Sequence, residues 1–208
     1  MAGNTVAQTT SVKYYKAHWL AREVPERQAR FKKVTTTYND GRSEVEVLNL
    51  KKDCLYHTAY YLNNQPTGIW SRYTKKCELI RNWDYSKLVF SAQRIDTLFD
   101  NDSKRAGYTV ANYGESETDA FKYIAENIIY PVEARENGVT GKVYLQVIVH
   151  VTGELEVVSI LNDVHPFLAI EAWELIAGMP NWNPATKNGL PIKSVMILPI
   201  NFVLQDVY

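Results

Sequence analysis

Residues 137–151 decide the fold, and they read Asn-Gly-Val-Thr-Gly-Lys-Val-Tyr-Leu-Gln-Val-Ile-Val-His-Val. From Lys142 onward every second residue is apolar, which is the period of a β-strand with one buried face. Asn137, Gly138 and Gly141 suit tight turns just before that strand. The sequence therefore predicts a half-buried strand over 142–151. Its inward residues would be Val143, Leu145, Val147, Val149 and Val151.

A helix is predicted before this strand. Ser116 is a candidate N-cap, the acidic residues after it favour the positive end of a helix dipole, and Pro131 ends the helix. Residues 132–136 form a second short turn. The apolar face of the helix would carry Phe121, Ile124, Ala125 and Ile128.

Three elements are predicted after the strand. Thr152-Gly153 turns the chain into a strand at 155–161, and a helix starts after Pro166 and stops at Gly178. A final strand covers 192–204. The apolar side of this helix would carry Leu168, Ala169, Ala172, Leu175 and Ile176. The predicted order is α-β-β-α-β.

Several short sequence motifs occur along these predicted elements, in the same order. They are Tyr130-Pro131-Val132-Glu133-Ala134, Asn137-Gly138-Val139-Thr140-Gly141-Lys142-Val143, Pro180-Asn181-Trp182-Asn183-Pro184-Ala185, Asn188-Gly189-Leu190-Pro191-Ile192 and Leu198-Pro199-Ile200-Asn201-Phe202. From about Tyr113 to Leu204 the chain resembles the TonB C-terminal domain family, in a style closest to versions from the Bacteroidetes. Each motif also has a structural reading, as a turn or as core packing.

The resemblance implies that the protein binds another protein. In the family the last strand is a sheet edge that accepts a short extended segment of an outer-membrane receptor by β-augmentation. Carried over position by position, the partner-binding residues would be Ser194, Val195, Met196, Ile197, Leu198, Ile200, Asn201 and Phe202. The expected partner is a segment of a TonB-dependent outer-membrane receptor or another envelope protein, and a homodimer is a further option.

The N-terminal part predicts an antiparallel β meander. Residues 31–38 and 43–50 flank an Asn39-Asp40-Gly41 turn, and strands are also predicted in 55–73, at 78–83 and at 87–94. Residues 12–29 show no clean period and are predicted to be irregular.

One phrase of the meander resembles a MORN repeat. Tyr60 to Trp70 reads Tyr-Tyr-Leu-Asn-Asn-Gln-Pro-Thr-Gly-Ile-Trp and is followed by Tyr73. Gly68 would let the backbone bend beside Trp70 while aromatic rings pack across strands. The sequence thus predicts an α+β protein with a MORN-like meander domain at 12–95, a linker at 96–115 and a TonB-like domain at 116–208.

The distribution of charged residues argues against nucleic acid as a partner. The chain of 208 residues has 23 basic and 23 acidic side chains, with 18 basic and 14 acidic in the first 120 residues. The two halves therefore carry about +4 and −4, without the clustered Lys and Arg of a nucleic-acid footprint. We expect no nucleic-acid partner.

No catalytic or metal pattern stands out. His18, His57, His150 and His165 have no metal-ligand spacing among themselves or with the cysteines, and no phosphate loop or nucleophile elbow occurs. We expect no enzyme, no catalytic residue, no metal, no cofactor and no small-molecule substrate. A competing hypothesis, a glycan- or lipid-processing enzyme, would use Trp70, Tyr73 and Trp83 to stack on sugars.

The two cysteines are predicted to be unpaired. Cys54 and Cys77 both follow a Lys-Lys pair. Placed in successive turns two strand spacings apart, their Cα atoms would be about 10 Å apart, beyond the roughly 7 Å that a disulfide allows.

The start of the chain shows no signal peptide, and no window matches a membrane span. Either the protein is cytosolic or a leader has been removed. The family resemblance favours a periplasmic protein without its leader. Because no anchor and no proline-rich spacer occur here, a soluble relative of the energy transducer is expected. A structural scaffold, or a protein that dimerises through the same edge strand, is the alternative.

Overall fold

The computed structural model describes residues 8–17, 20, 22–93, 106–116 and 118–204. The chain forms two compact units, Met1–Lys87 and Leu88–Tyr208. Much of the predicted linker, residues 96–105, lies outside the described residues. The α+β class and the antiparallel meander are confirmed.

The first unit is a six-stranded sheet in which each strand pairs antiparallel with the next one along the chain. Its strands are β1 (Gln8–Tyr15), β2 (Phe31–Tyr38), β3 (Arg42–Asn49), β4 (Cys54–Leu62), β5 (Gln65–Tyr73) and β6 (Leu79–Asp84). A short 3-10 turn at Tyr85–Lys87 follows β6.

The turns of this sheet follow from residues that tolerate left-handed backbone. Asn63 and Asn64 have φ of 50° and 65°, which gives the two-residue turn between β4 and β5. Gly41 has φ of 86°, and a Cβ there would lie 2.2 Å from Oδ1 of Asn63. Glycine at 41 is therefore needed both for its backbone conformation and for the close approach of the neighbouring turn.

Trp70 is the centre of the aromatic core of this unit. Its ring lies 5.0 Å from that of Tyr61 and 4.2 Å from that of Tyr85. Its Nε1–H donates to the carbonyls of Tyr60 and Thr67, at 3.0 and 3.1 Å. Trp70 is only 2% exposed and Trp83 only 6%, so neither ring offers the sugar-stacking surface that the enzyme hypothesis requires.

Two local predictions in this region are wrong. Residues 8–15 form β1, although irregular structure was predicted from residue 12; full pairing with β2 organises a segment that has no period of its own. No strand forms over 87–93, the described part of the strand predicted at 87–94. Phe90 makes only an isolated parallel bridge to Ile160. The MORN resemblance stays a prediction.

The cysteines also differ from the prediction, because Cys54 and Cys77 form a disulfide with a Cα–Cα distance of 6.0 Å. The prediction placed both in turns two strand spacings apart. Cys54 instead begins β4, and Cys77 lies in the turn that follows the neighbouring strand β5. Cys77 has φ of 74°. The distance estimated from strand spacing was therefore too long.

In its described residues, the second unit combines three helices with two small sheets. Its elements are β7 (Tyr108–Thr109), α1 (Asp119–Asn127), α2 (Val132–Glu136), β8 (Gly141–Val149), β9 (Leu155–Ile160), α3 (Pro166–Ala177), β10 (Ala185–Lys187), β11 (Leu190–Ile192) and β12 (Ser194–Phe202). The observed order differs from the predicted α-β-β-α-β order in two ways. Residues 132–136 form a helix, α2, and two short strands, β10 and β11, lie between α3 and β12. These two strands form a sheet with β7, in the order β11-β10-β7.

The main sheet has the order β12-β8-β9, with both pairs antiparallel. Helix α3 packs on β8 and β9. The core is formed by the fully buried side chains of Val143, Leu145, Val147 and Val149 in β8, of Leu168, Ala169, Ala172 and Ile176 in α3, and of Ile160 and Ile200. The predicted inward residues of β8 and α3 are buried, except that Leu175 is half-buried and Val151 lies beyond β8 and is exposed. Strand β8 is not half-buried as predicted, because Gln146 and Ile148 on its other face are buried too.

Helix α1 departs from its predicted pattern. It begins at Asp119, and Thr118 rather than Ser116 is its N-cap residue. Its buried residues are Ala120 and Ile124, whereas Phe121 is 57% exposed. The Asp119 carboxylate accepts from the Ser116 hydroxyl and from the backbone N–H groups of Ser116 and Glu115, which holds the pKa of Asp119 below its usual value.

We expect reduction of the disulfide to destabilise the first unit. The two cysteines are 23 positions apart. For a loop of this length the chain-entropy model gives a loss of about 3 kcal/mol. Urea unfolding followed by Trp fluorescence, with and without reductant, measures the change. A Cys54→Ala/Cys77→Ala variant is the control and should not respond to reductant. Identical midpoints for the oxidised and reduced wild type would contradict the expectation.

A second prediction concerns acid stability. Burial and the nearby Arg72 guanidinium lower the pKa of His57 from 6.5 to about 4. In the folded protein the ring is neutral above about pH 4, with Nδ1 3.1 Å from the Ser71 carbonyl, so that Nδ1 carries the proton. The unfolded chain takes up a proton near pH 6.5. Stability should therefore fall by about 3 kcal/mol as the pH drops from about 6.5 to about 4.

His57→Gln is the matched variant for this measurement, since its side chain keeps a donor but does not titrate. The free energy of unfolding of the variant should lose about 3 kcal/mol less than that of wild type across the same pH range. Parallel pH profiles for the two proteins would refute the assignment.

Candidate functional site

The two outer edges of the β12-β8-β9 sheet differ. Along β9, the backbone of Ile160 is bonded to the segment 89–91: its N–H donates to the Val89 carbonyl at 2.7 Å, and its carbonyl accepts from Ser91 N–H at 3.0 Å. Strand β12 pairs with β8 on one side. Within the described part of the chain, no strand pairs with its other side. Among the described residues, the outer side of β12 is therefore an open edge along its length, whereas the bonds that cover β9 lie at its Ile160 end.

The bonds of Tyr144 reveal which residues of β12 turn their backbone to that edge. Its N–H donates to Oδ1 of Asn162, and its carbonyl accepts from the N–H of Leu161. Both groups of Tyr144 thus point toward β9. Its register partner in β12 is Pro199. This pair is not hydrogen-bonded, so the Pro199 carbonyl faces the open edge.

The N–H and C=O groups of successive residues in a strand point alternately to its two edges, so every second residue of β12 faces the same way as Pro199. Val195, Ile197 and Asn201 turn both N–H and C=O outward, and Pro199 turns only a carbonyl outward. The others, Ser194, Met196, Leu198, Ile200 and Phe202, turn their backbone groups toward their partners in β8. The open edge thus offers donors at three positions and has a gap at Pro199.

The side chains of β12 fix this parity. Leu198, Ile200 and Phe202 are buried, while Pro199 and Asn201 are exposed and Val195 and Ile197 are half-buried. A slip of one residue would move three large apolar side chains to the other face, at about 1.5–3 kcal/mol for each. The outward set of backbone groups is therefore set by core packing.

The motif around Tyr130 supports the end of β12. The Tyr130 ring meets the Phe202 ring edge to face, with centroids 5.7 Å apart. Its hydroxyl donates to the Val139 carbonyl at 2.5 Å. The neighbouring Ile129 N–H donates to Oε1 of Glu171, a carboxylate in α3 that is only 7% exposed. The segment between α1 and α2 is thus anchored both to the helix and to the last strand.

Trp182 joins the loop after α3 to the turn between β8 and β9. Its backbone N–H donates to the Gly153 carbonyl at 2.8 Å. Gly153 has φ of 87°, and a Cβ there would lie 2.1 Å from the Trp182 carbonyl oxygen. The Trp182 side chain is 5% exposed. The turn between β8 and β9 therefore accepts the loop after α3 only because residue 153 is glycine.

All eight sequence-predicted site residues lie in β12, so the structure brings them together on one strand. Their backbone groups point in two directions: those of three residues face the open edge, and those of the other five face β8. Pro199, absent from the predicted set, belongs to the outward group. Sequence alone does not reveal this parity, which depends on the bonds of Tyr144 to Asn162 and Leu161 on the far side of β8.

The edge strand and the residues next to it in sequence carry little charge. Residues 190–204 contain one basic side chain, Lys193, and no acidic one. Within the described residues, no three His, Cys, Asp or Glu side chains are grouped so that they could hold a metal ion. In the same residues, no helix has the length and apolar character needed to cross a membrane. The chemistry available at β12 is that of peptide hydrogen bonds.

A protein-family model matches the C-terminal part of the chain. No curated protein matches the chain, and no solved structure matches it. The matching family is described as Gram-negative bacterial TonB protein C-terminal. Its match begins within α1 and ends just after β12, so it includes the open edge. Residues 126–204 are therefore similar in sequence to the TonB C-terminal domain.

Proposed function

We propose that this protein is a non-enzymatic binding protein whose β12 accepts an extended segment of a partner by β-augmentation. The observation that carries the proposal is the open edge of β12, where Val195, Ile197 and Asn201 turn their backbone outward inside a segment similar to the TonB C-terminal domain. Main-chain hydrogen bonds supply the affinity in this mode, and side chains next to the edge supply selection.

The proposed partner is an extended segment of a TonB-dependent outer-membrane receptor or of another envelope protein, in cell-envelope transport. The edge strand has few charges, so an uncharged backbone-paired segment suits it better than a charged one. The gap at Pro199 divides the edge. Val195 and Ile197 provide two donors on one side of the gap and form the main docking stretch.

A periplasmic location is part of the proposal. The matched family belongs to Gram-negative bacteria, where the TonB C-terminal domain is associated with the cell envelope. The Cys54–Cys77 disulfide supports the same location independently, since structural disulfides persist in oxidising compartments such as the bacterial periplasm.

Val195→Pro tests the edge directly. The substitution removes an outward N–H and places the proline ring where a new strand would approach, while the bonds to β8 come from neighbouring residues. We expect affinity for a receptor-derived extended peptide to fall by about tenfold or more. Isothermal titration with a panel of such peptides measures the loss.

Val195→Ala is the matched control, because it shortens the same side chain and keeps the N–H. Its affinity should stay within about threefold of wild type, as one small half-buried contact is lost. Equal affinity of Val195→Pro and wild type, with both proteins folded, would refute docking at this edge. If no peptide of the panel binds wild type, the proposed partner class is wrong.

Amide hydrogen exchange gives a second prediction, resolved by residue. In the free protein, the amides of Val195, Ile197 and Asn201 should exchange quickly, and those of Met196, Leu198 and Ile200 slowly, because only the second set is bonded to β8. A bound peptide should protect the amides of Val195 and Ile197. Uniform protection along β12 in the free protein would contradict the open edge.

Self-association through the same edge is the second candidate, and the same open strand favours it, since unpaired edges are templates for pairing with another copy. Pro199 partly protects this edge. Pro191 does not lie in this strand, since it belongs to β11 and pairs with Thr186 of β10. A concentration-dependent dimer in analytical ultracentrifugation that Val195→Pro abolishes would establish self-pairing. A monomer at all concentrations would exclude it.

A further inference from the structure

A basic pocket lies at one end of the N-terminal sheet. It has a volume of about 440 Å³ and is lined by Lys16, Ala17, Arg30, Phe31, Asn49, Lys51, Lys52 and Lys75. Five of these eight residues are cations and none is an acid. Phe31 is buried and provides an apolar wall, and Asn49 is a buried polar residue. This composition differs from that of the chain, in which acidic and basic residues are equal in number.

The strand register places these cations together. Tyr15 of β1 pairs with Phe31 of β2, Phe31 pairs with Asn49 of β3, and Asn49 pairs with Cys54 of β4. This row of four residues is the last one at that end of the sheet. Lys16 follows the first residue of the row, Arg30 precedes the second, and the turn with Lys51 and Lys52 joins the last two.

Backbone hydrogen bonds hold Arg30 in the middle of this group. Its N–H donates to the Tyr15 carbonyl at 2.9 Å, and its own carbonyl accepts from Leu50 N–H at 2.9 Å. Tyr15, which precedes Lys16, and Leu50, which precedes Lys51, are therefore both hydrogen-bonded to Arg30. The five cations are exposed and lie in turns and strand ends, and these backbone bonds to the sheet hold three of those chain segments side by side.

Lys75 belongs to a different turn and is brought in by two further links. The Asn49 side chain donates through Nδ2 to the Lys75 carbonyl at 3.3 Å, and its Oδ1 accepts from Lys51 N–H at 3.1 Å. The Cys54–Cys77 disulfide joins the same two turns covalently. Both links hold the lysines of the two turns near one another. Their positive charges repel, and an anion bound between them would relieve that repulsion.

The carboxylates nearby leave these cations available. Glu78 accepts from the Thr74 hydroxyl at 3.4 Å, and Asp53 lies next to Lys52 in sequence but does not line the pocket. No ion pair to a described residue engages the five pocket cations. We propose that this pocket binds a phosphate-bearing ligand with two or more negative charges. This site is separate from the proposed partner-binding edge and does not depend on it.

The first test is titration of the full-length oxidised protein with inorganic pyrophosphate, followed by calorimetry at low and high salt. We expect saturable one-to-one binding that weakens as salt rises. Lys51→Gln/Lys75→Gln should reduce the affinity by about tenfold or more, because it removes two charge-assisted contacts. Lys76→Gln is the matched control, as Lys76 is an exposed lysine of the same turn that does not line the pocket.

The control variant should stay within about twofold of wild type, since it lies outside the site. Absence of saturable binding would overturn the proposal. An equal loss in Lys76→Gln would also overturn it, because the effect would then be general surface charge. Both variants change exposed side chains, and circular dichroism would establish that they fold.

A vesicle arm distinguishes the source of the phosphate. The protein is sedimented with vesicles of phosphatidylglycerol and, separately, of phosphatidylcholine. Binding to the first alone, lost in Lys51→Gln/Lys75→Gln and displaced by pyrophosphate, supports the site with a lipid headgroup as ligand. Pyrophosphate binding without vesicle binding supports the site with a soluble ligand. Vesicle binding that the double variant retains would contradict a role for the pocket.

A redox arm tests the role of the disulfide. Cys54→Ser/Cys77→Ser removes the covalent link between the two lysine turns, and the affinity for pyrophosphate should fall by about threefold or more, since the cations are no longer held together. The measurement is made at low temperature, where circular dichroism can establish that the variant is folded. Unchanged affinity in a folded variant would overturn this role of the disulfide.

Discussion

The antiparallel pairing of β8 with β12 is the contact on which the second unit depends. It joins Gly141–Val149 to Ser194–Phe202 in continuous register, so residues at least 45 positions apart in sequence are aligned pair by pair. The inward side chains of both strands then build one core with α3. Since the pairing uses one side of β12, it also determines which backbone groups are left for a partner. Packing and the proposed binding function are two consequences of one register.

The two units are stabilised in different ways. The second unit buries a sheet beneath a helix, and its core consists largely of aliphatic side chains that are fully buried. The first unit has no α-helix in its described residues and relies on aromatic rings around Trp70, on tight asparagine turns and on a disulfide. A single sheet of this kind has less apolar surface to bury, and the covalent link compensates by restricting the unfolded chain.

Elements with a strong local signal could be predicted from the sequence. The alternation in β8, the stop signals after α3 and the turn at Asp40-Gly41 act within a few residues, and each led to the right element. Errors arose where distant contacts decide the outcome. Strand β1 exists because β2 pairs with it, and the disulfide forms because β4 and β5 are neighbours. None of these contacts leaves a periodic trace in the sequence.

The candidate sites follow the same division. The strand that carries the proposed edge could be predicted from its motif, but the split of its residues into outward and inward sets could not, because the deciding bonds lie beyond β8. The basic pocket could not be predicted at all, since its cations come from the ends of several strands and are scattered from Lys16 to Lys75. Their convergence requires a register that only the folded sheet supplies. The two sites also differ physically: one offers peptide groups with little charge, the other a cluster of cations. Salt weakens interactions between charges far more than peptide hydrogen bonds, so ionic strength separates binding at one site from binding at the other within a single protein.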